Sequence, residues 1–155
     1  MKTSLPSHHL MIPYEVTLHY KRPLFSSMRH IFNAEEAVTV LRSHIHPNQL
    51  DLREHFWVIL LSNSNNVLGV SEVASGTTKG VQTNPKYIFQ LALLTNASSI
   101  IIAHNHPSGN LNISDRDIKE TKKIKRLAIT MDITLLDHII ITSESFVSFT
   151  NKGEL

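Results

Sequence analysis

Two short apolar runs, at residues 56–61 and 100–103, place the strongest constraint on how this chain of 155 residues can fold. A short and continuous apolar run is typical of a β-strand that is buried inside a sheet. The polar segment 62–66, which holds three asparagines and two serines, follows the first run and predicts a hairpin-like loop. We therefore expect a buried strand at 56–61, a partner strand at 67–74 and another buried strand at 99–103.

Three further segments carry the sequence signals of helix N-termini. Asn33 is followed by acids in the first turn, Pro85 lies in the first turn of an apolar-periodic segment, and Ser114 opens a third helix. The predicted helices cover about 34–43, 85–94 and 114–128, and further strands are predicted at about 133–142 and 146–149. Because strands alternate with helices, the predicted fold class is α/β, with a mixed β-sheet flanked by helices.

The first residues differ in composition from the remainder of the chain. Residues 1–32 hold three prolines and four histidines, and only the stretch 14–20 alternates as an edge strand does. We interpret 1–32 as an N-terminal arm and 33–155 as a single domain. No apolar run approaches the roughly 18 residues that a membrane span needs, and the N-terminus lacks the apolar core of a secretory signal. The expected protein is cytoplasmic and without membrane attachment.

The charge and cysteine content exclude several kinds of site. The chain has no cysteine, which excludes disulfides, iron–sulfur clusters and thiolate zinc sites, so a metal must be held by nitrogen and oxygen. The net charge of +2 is too small to indicate nucleic-acid binding by itself. We interpret the clearest basic run as the solvated face of a helix. It comprises Lys119, Lys122, Lys123, Lys125 and Arg126.

A pair of histidines follows directly on the buried strand at 99–103. Residues i and i+2 of an extended segment point to the same side, so His104 and His106 can converge on one metal ion. Pro107 and Gly109 then turn the chain, which keeps the pair at the end of the strand. Open α/β sheets bind their ligands at such strand ends.

The start of the third predicted helix offers a further ligand. Ser114 and Asp117 are three residues apart and therefore share one helical face. Two imidazoles and the Asp117 carboxylate leave a fourth tetrahedral position for water, which is the pattern of a catalytic zinc site. Zinc lowers the pKa of its bound water and polarises a substrate carbonyl. The same Ser-x-x-Asp spacing also fits a helix cap without any metal.

A second His-x-His segment in the chain serves as a comparison. His44 and His46 repeat the local pattern and are also followed by proline, but no Ser-x-x-Asp follows them at the matching distance. We interpret this pair as a helix end and a turn. His55 is expected to pack at the edge of a strand.

The segment HNHPSGNLNISDRD, at residues 104–117, resembles the JAMM motif of the JAB/MPN metalloprotease-type domains, His-x-His-x7-Ser-x2-Asp. The resemblance to the RadC-like branch of that family extends over about residues 50–153. It rests on the strings REHFWVILL, GTT, TNASSIIIAHNHPSG, ITLLDHIIIT and SFVSF. The resemblance implies the single-domain JAMM/MPN fold, which is cytidine-deaminase-like.

The resemblance also implies a role for each residue of the motif. His104, His106 and Asp117 would ligate Zn²⁺, and Ser114 would orient or stabilise the oxyanion. The glutamate that activates the zinc-bound water in the family falls at Glu54, for which a structural salt bridge is the alternative role. Glu72, on the neighbouring predicted strand, is the fallback candidate for the same task.

Two functions follow as hypotheses. The first is a zinc-dependent hydrolase of peptide or isopeptide bonds, whose protein or peptide substrate the sequence does not identify. The second is a DNA-repair-associated module that binds DNA or acts as a scaffold without catalysis. Longer RadC-like proteins carry a helix-hairpin-helix region associated with DNA. The first 50 residues here lack its glycine-containing hairpins, which argues against DNA binding.

Overall fold

The computed structural model describes residues 17, 19–76 and 81–155. A five-stranded sheet lies at its centre, and four α-helices accompany the sheet. The strands are β1 (His55–Leu61), β2 (Val67–Ser75), β3 (Ser99–Asn105), β4 (Thr134–Ile141) and β5 (Phe146–Ser148). The helices are α1 (Ala34–His44), α2 (Pro85–Leu94), α3 (Asp115–Thr130) and α4 (Phe149–Lys152). Among these described residues, no helix is both long and apolar enough to cross a membrane.

The predicted fold class is confirmed, because the sheet is mixed and helices flank it. Its strand order is β2-β1-β3-β4-β5, with β3 parallel to β4 and all other neighbours antiparallel. The predicted bounds lie within about two residues of the observed ones, and two of the differences have a clear physical reason. The last strand ends at Ser148, whose hydroxyl accepts a hydrogen bond from the Asn151 amide and starts α4. Strand β3 continues through Asn105, because its last residues still pair with β1 and β4.

The N-terminal segment enters the structure only in part. Of the edge strand predicted at 14–20, residues 14–16 and 18 lie outside the described residues, and residues 17, 19 and 20 are not part of a strand. Residues 29–31 lie against the turn between β1 and β2, where the Ile31 amide donates to the Asn65 carbonyl at 3.0 Å. The Ile31 side chain is buried in the same apolar cluster as the inner face of α1. The division into an arm and a domain stays a prediction.

Both faces of the sheet are covered, which explains the continuous apolar run of β1. Phe56, Val58 and Leu60 face a cluster that includes residues of α2 and α3, whereas the intervening Trp57 and Ile59 face α1. Successive side chains of a strand point to opposite faces. Since every residue of β1 is buried, each of them must be apolar or find a polar partner.

The connection from β3 through α3 to β4 determines where the candidate site lies. Strands β3 and β4 are parallel, with His104 in register with Ile140. Helix α3 joins them and begins just beyond the carboxyl end of β3. In such units, ligands bind at the carboxyl ends of the parallel strands. The two histidines at the end of β3 and the first turn of α3 therefore meet at one edge of the sheet.

Asn105 ties the loop before β1 to the end of β3. Its side chain is fully buried, and its Oδ1 accepts a hydrogen bond from the His55 amide at 2.6 Å. Its Nδ2 donates to the carbonyls of Leu50 at 2.7 Å and Arg53 at 2.8 Å. These three bonds position the residue between Arg53 and His55, which is Glu54.

Replacing Asn105 with leucine removes all three of these hydrogen bonds at similar volume. It leaves one amide and two carbonyls without their partner, and a buried unsatisfied polar group costs about 1–3 kcal/mol. We expect the free energy of unfolding of N105L, measured with urea in metal-free buffer, to fall by more than about 2 kcal/mol. N151L, on the exposed surface of α4, is the control and should change it by less than about 0.5 kcal/mol. Equal stability of the two variants would contradict this role.

Candidate metal centre

Three side chains converge at the end of β3. His104 Nε2 lies 2.9 Å from His106 Nε2 and 3.3 Å from Asp117 Oδ1, and His106 Nε2 lies 3.9 Å from Asp117 Oδ2. Within the described residues, these three form the one group of His, Asp or Glu side chains whose ligand atoms approach closely enough to hold a metal ion. The structure thus brings together the three residues that the sequence predicts as ligands.

The extended backbone explains why the two imidazoles meet. The His106 amide donates to the Ile141 carbonyl at 3.1 Å, which continues the ladder between β3 and β4 past the end of the strand. His104 and His106 therefore point to the same side. The chain then turns at Gly109, whose amide donates to the His106 carbonyl. Gly109 has φ +76°, a left-handed conformation that favours glycine.

The first turn of α3 places Asp117 opposite the histidines. Ser114 Oγ accepts from the Asp117 amide at 3.2 Å, and Asp117 Oδ2 accepts from the Ser114 amide at 2.9 Å, which makes a complete capping box. The Ser114 hydroxyl also donates to Asp117 Oδ2 at 2.5 Å. The cap and the ligand role are thus compatible, because the cap holds Oδ2 while Oδ1 faces His104.

The Asp117 carboxyl is ionised in this setting. Burial acts to raise the pKa of Asp117, but hydrogen bonds with His104 and Ser114, together with the charge of His104, outweigh it. They hold the pKa of Asp117 well below its ordinary value. A carboxyl group must be deprotonated to bind a metal, so Asp117 is in the required state at neutral pH.

The donor atoms fit a zinc ion. His106 Nδ1 lies 2.6 Å from the Asn110 carbonyl, which can only accept, so Nδ1 carries the proton and Nε2 is a bare lone pair. That lone pair faces His104 Nε2 and the Asp117 carboxylate, and their mutual repulsion is offset by a cation between them, either a proton on His104 Nε2 or a metal ion. Ligand atoms about 2.0–2.1 Å from a tetrahedral zinc ion lie roughly 3.3 Å apart, which is close to the 3.3 Å between His104 Nε2 and Asp117 Oδ1 and to the 2.9 Å between the two imidazole nitrogens.

The structure separates the two glutamate candidates. The half-buried Glu54 lines the same cleft of about 430 Å³ as the three candidate ligands. Glu72 is paired across the sheet with Trp57, on the face opposite His104, and its Oε1 lies 3.1 Å from Nδ1 of the buried His55. Of the two candidates, Glu54 is therefore the one that lines the cleft, which Glu120 of α3 also lines, and the chemical role of Glu54 stays a prediction.

The comparison pair of histidines lies away from this cleft. His44 ends α1 and is exposed, and His46 Nδ1 accepts from the Asn48 amide at 3.3 Å. That bond caps the short 3-10 helix Pro47–Gln49. The pair is therefore a helix end and a turn, as the sequence predicts.

His138, which the sequence patterns did not single out, lies directly behind His104. His138 Nε2 is 2.8 Å from His104 Nδ1, and His138 Nδ1 is 2.5 Å from Thr121 Oγ1. Burial and the charge of His104 lower the pKa of His138 well below its ordinary value, so the ring is neutral. One signal was available in the sequence, because a histidine stands among the apolar residues of a buried strand.

Comparison with known proteins supports the assignment of a family. The family model described as RadC-like JAB domain matches residues 29–154. A UPF0758 protein of Flavobacterium johnsoniae is 36% identical over 126 residues, which are 81% of this chain and 54% of that protein. A UPF0758 protein of Chlorobium chlorochromatii is 34% identical over 138 residues, which are 89% of this chain and 60% of that protein.

A third relative, from Staphylococcus aureus, is also named UPF0758 protein. It is 41% identical over 108 residues, which are 69% of this chain and 47% of that protein. The chain thus spans about half the length of the curated relatives it matches, and their names state no activity. Since the family model matches most of the chain, and the fold and motif agree with it, the chain belongs to the RadC-like JAB domain family.

Proposed function

We propose that this domain is a zinc-dependent hydrolase that cleaves amide bonds of peptide or isopeptide type. The observation that carries the proposal is the convergence of His104, His106 and Asp117 in a cleft that Glu54 also lines. Three protein ligands leave one position free for water, as catalytic zinc sites do. A second carboxylate beside such a site is suited to general acid–base catalysis.

Each residue has a defined task in this proposal. Bound zinc would supply the Lewis acidity that activates water and polarises a carbonyl. The Glu54 carboxylate accepts a proton from the attacking water and returns it to the leaving amine nitrogen. Ser114 would stabilise the oxyanion through its hydroxyl. Because that hydroxyl donates to Asp117 Oδ2 in this structure, Ser114 must release this bond to donate to substrate.

The cleft offers polar groups that suit a polypeptide. Its lining includes Gln82, Asn110 and Asn112, residues whose side-chain amides can donate to and accept from a peptide backbone. Arg116 also lines the cleft, and its guanidinium donates to the Val81 carbonyl at 2.6 Å. This bond ties the segment that carries Gln82 to the first turn of α3, so both walls of the cleft are held together.

DNA association is the alternative that the sequence suggested. Lys119, Lys122, Lys123 and Arg126 are exposed along α3, and Lys125 is half-buried. Exposure of this kind is equally typical of a solvated helix face. Binding of DNA through these residues stays a prediction, and it would weaken steeply with added salt.

The metal content of the purified protein tests the proposed ligands. The wild type, under zinc-replete conditions, should hold about one zinc ion per chain, whereas H104A and D117A should lose it. H44A is the matched control from the other His-x-His segment and should retain the metal. Elemental analysis after gel filtration makes the measurement. Less than about a tenth of a zinc ion per wild-type chain would refute the proposal.

Substitution of the two glutamates tests the proposed base. E54Q should keep zinc and lose at least about 100-fold in turnover, because an amide cannot take the proton from water. E72Q, on the opposite face of the sheet, should keep both. The assay uses fluorogenic libraries of peptides and of lysine-linked isopeptides. Unchanged turnover of E54Q would remove Glu54 from the mechanism, and loss of turnover in E72Q alone would transfer the role to Glu72.

The two roles of Ser114 can be separated with a second helix cap. Asn33 caps α1 through its side chain, which accepts from the Glu36 amide at 2.9 Å. Both S114A and N33A should therefore lower the free energy of unfolding by about 1 kcal/mol. Only S114A should also lower kcat, by about 100-fold or more, as the loss of an oxyanion donor does. Equal kcat values in the two variants would leave Ser114 as a cap alone.

A further inference from the structure

A chain of hydrogen bonds runs from the back of His104 to the backbone of α3. His104 Nδ1 lies 2.8 Å from His138 Nε2, and His138 Nδ1 lies 2.5 Å from Thr121 Oγ1. Thr121 Oγ1 in turn lies 2.6 Å from the Asp117 carbonyl, one helical turn earlier. The chain thus links β3, β4 and α3 behind the candidate metal ligands.

The last acceptor determines the direction of every proton in the chain. The Asp117 carbonyl can only accept, so the single proton of the Thr121 hydroxyl points to it. Thr121 Oγ1 must then accept from His138 Nδ1. In a neutral imidazole only one nitrogen carries a proton, which leaves His138 Nε2 as a bare acceptor.

The His104 ring is constrained in the same way as the His138 ring. His138 Nε2 accepts from His104, so the proton of the His104 ring lies on Nδ1. In the neutral ring, His104 Nε2 is then bare and open to a metal ion, and it is the atom that faces His106 and Asp117. A metal ion binds a histidine only through a bare ring nitrogen.

We propose that His138 and Thr121 are positioning residues that set the tautomer and orientation of His104 and present its Nε2 to a metal ion. This inference rests on the proposed zinc site and adds two residues to it. Asp117 takes part in two ways, because its carboxylate is a candidate metal ligand and its backbone carbonyl accepts the last bond of the hydrogen-bond chain. Asp117 is therefore one of the three candidate ligands and also helps to orient a second one, His104.

The side chains of the hydrogen-bond chain are buried away from solvent. Thr121 and His138 are each 1% exposed, so water does not replace a missing acceptor. Phe149 stacks on the His138 ring with centroids 4.4 Å apart and planes at 21°, and Phe56 stacks parallel to the His104 ring at 6.0 Å. Because both rings are packed in this way, neither ring rotates freely. The hydrogen-bond chain then decides which nitrogen of each ring carries the proton.

The substitution T121V tests the hydrogen-bond chain, because it removes the hydroxyl at nearly constant side-chain volume. Without the hydroxyl, the His138 Nδ1 proton has no acceptor. The tautomer with the proton on Nε2 is then favoured, because that proton can be donated to His104. His138 then donates to His104 Nδ1, and the His104 proton moves to Nε2, where it competes with the metal. We expect zinc affinity, measured by competition with a chromophoric chelator, to fall about 10- to 100-fold, as the loss of such outer partners does.

Two variants serve as matched controls. T121S keeps the hydroxyl and should restore the affinity of the wild type. T95V removes a threonine hydroxyl that makes the same bond within α2, from Oγ1 to the Leu91 carbonyl four residues earlier at 2.8 Å. Thr95 is also buried, at 8% exposure. T95V should therefore share any general effect on stability and leave zinc affinity unchanged.

A spectroscopic measurement decides the proposal without any variant. Long-range nitrogen–proton correlation spectra of protein labelled with ¹⁵N in its histidines report which ring nitrogen is protonated. In the zinc-loaded wild type, both His104 and His138 should carry their proton on Nδ1. A proton on His138 Nε2 would overturn the inference, whether or not T121V folds. Zinc affinity of T121V equal to that of T95V would overturn it as well.

Failure of this inference is distinct from failure of the proposed function. A wild type that binds zinc but hydrolyses no amide bond contradicts the function and leaves the affinity and tautomer measurements unaffected. A wild type that binds no zinc contradicts the proposed site. The spectrum of the metal-free protein then still decides the protonation of His138, which carries this inference.

Discussion

The burial of the carboxyl end of β3 is the constraint on which the remainder of the site depends. Strand β3 lies in the middle of the sheet, and it ends in the buried polar residues His104 and Asn105, which the half-buried His106 follows. A buried polar group without a partner costs several kcal/mol, so each of these side chains must be satisfied by another part of the chain. The partners that satisfy them are also the groups that orient the site.

The alternation of the strand gives these residues two different tasks. His104 and His106 point towards α3, where the candidate metal centre forms. Asn105 points to the opposite face and holds the backbone around Glu54 with three hydrogen bonds. A three-residue segment thus supplies two candidate ligands and also positions the loop of the candidate base. The same local pattern at His44 and His46 does neither, because it lies at a helix end and not at the end of a central strand.

Helix α3 combines structural and chemical tasks in its first two turns. Its N-terminal cap fixes the Asp117 carboxylate, and a helix N-terminus stabilises negative charge there. Thr121 lies one turn later and ends the hydrogen-bond chain from His104. The helix therefore carries one candidate ligand and orients a second one through His138. Loss of such an outer partner typically lowers metal affinity about 10- to 100-fold.

The sequence predicted those parts of the structure that depend on neighbours along the chain. The apolar run at 56–61, the cap at Asn33 and the segment 104–117 are local patterns, and they gave the fold class, most elements and the three candidate ligands. The short helix α4, whose first residue Phe149 packs on His138, was not predicted from the sequence. The Ser148 hydroxyl that caps it also donates to Asp137 on the neighbouring strand, which only the folded sheet brings near.

The sequence by itself determined the chemistry of the site, namely two imidazoles, a carboxylate and no thiolate, at a spacing that strand and helix periodicity bring to one side. The tertiary structure decided which of the two candidate glutamates lines the cleft and which tautomer His104 adopts. Glu54 precedes β1 and lines the cleft, whereas Glu72 lies in β2 on the opposite face of the sheet, and that face depends on strand register. The proton on His104 depends on His138, which lies 34 residues further along the chain and reaches it only because β4 runs parallel to β3.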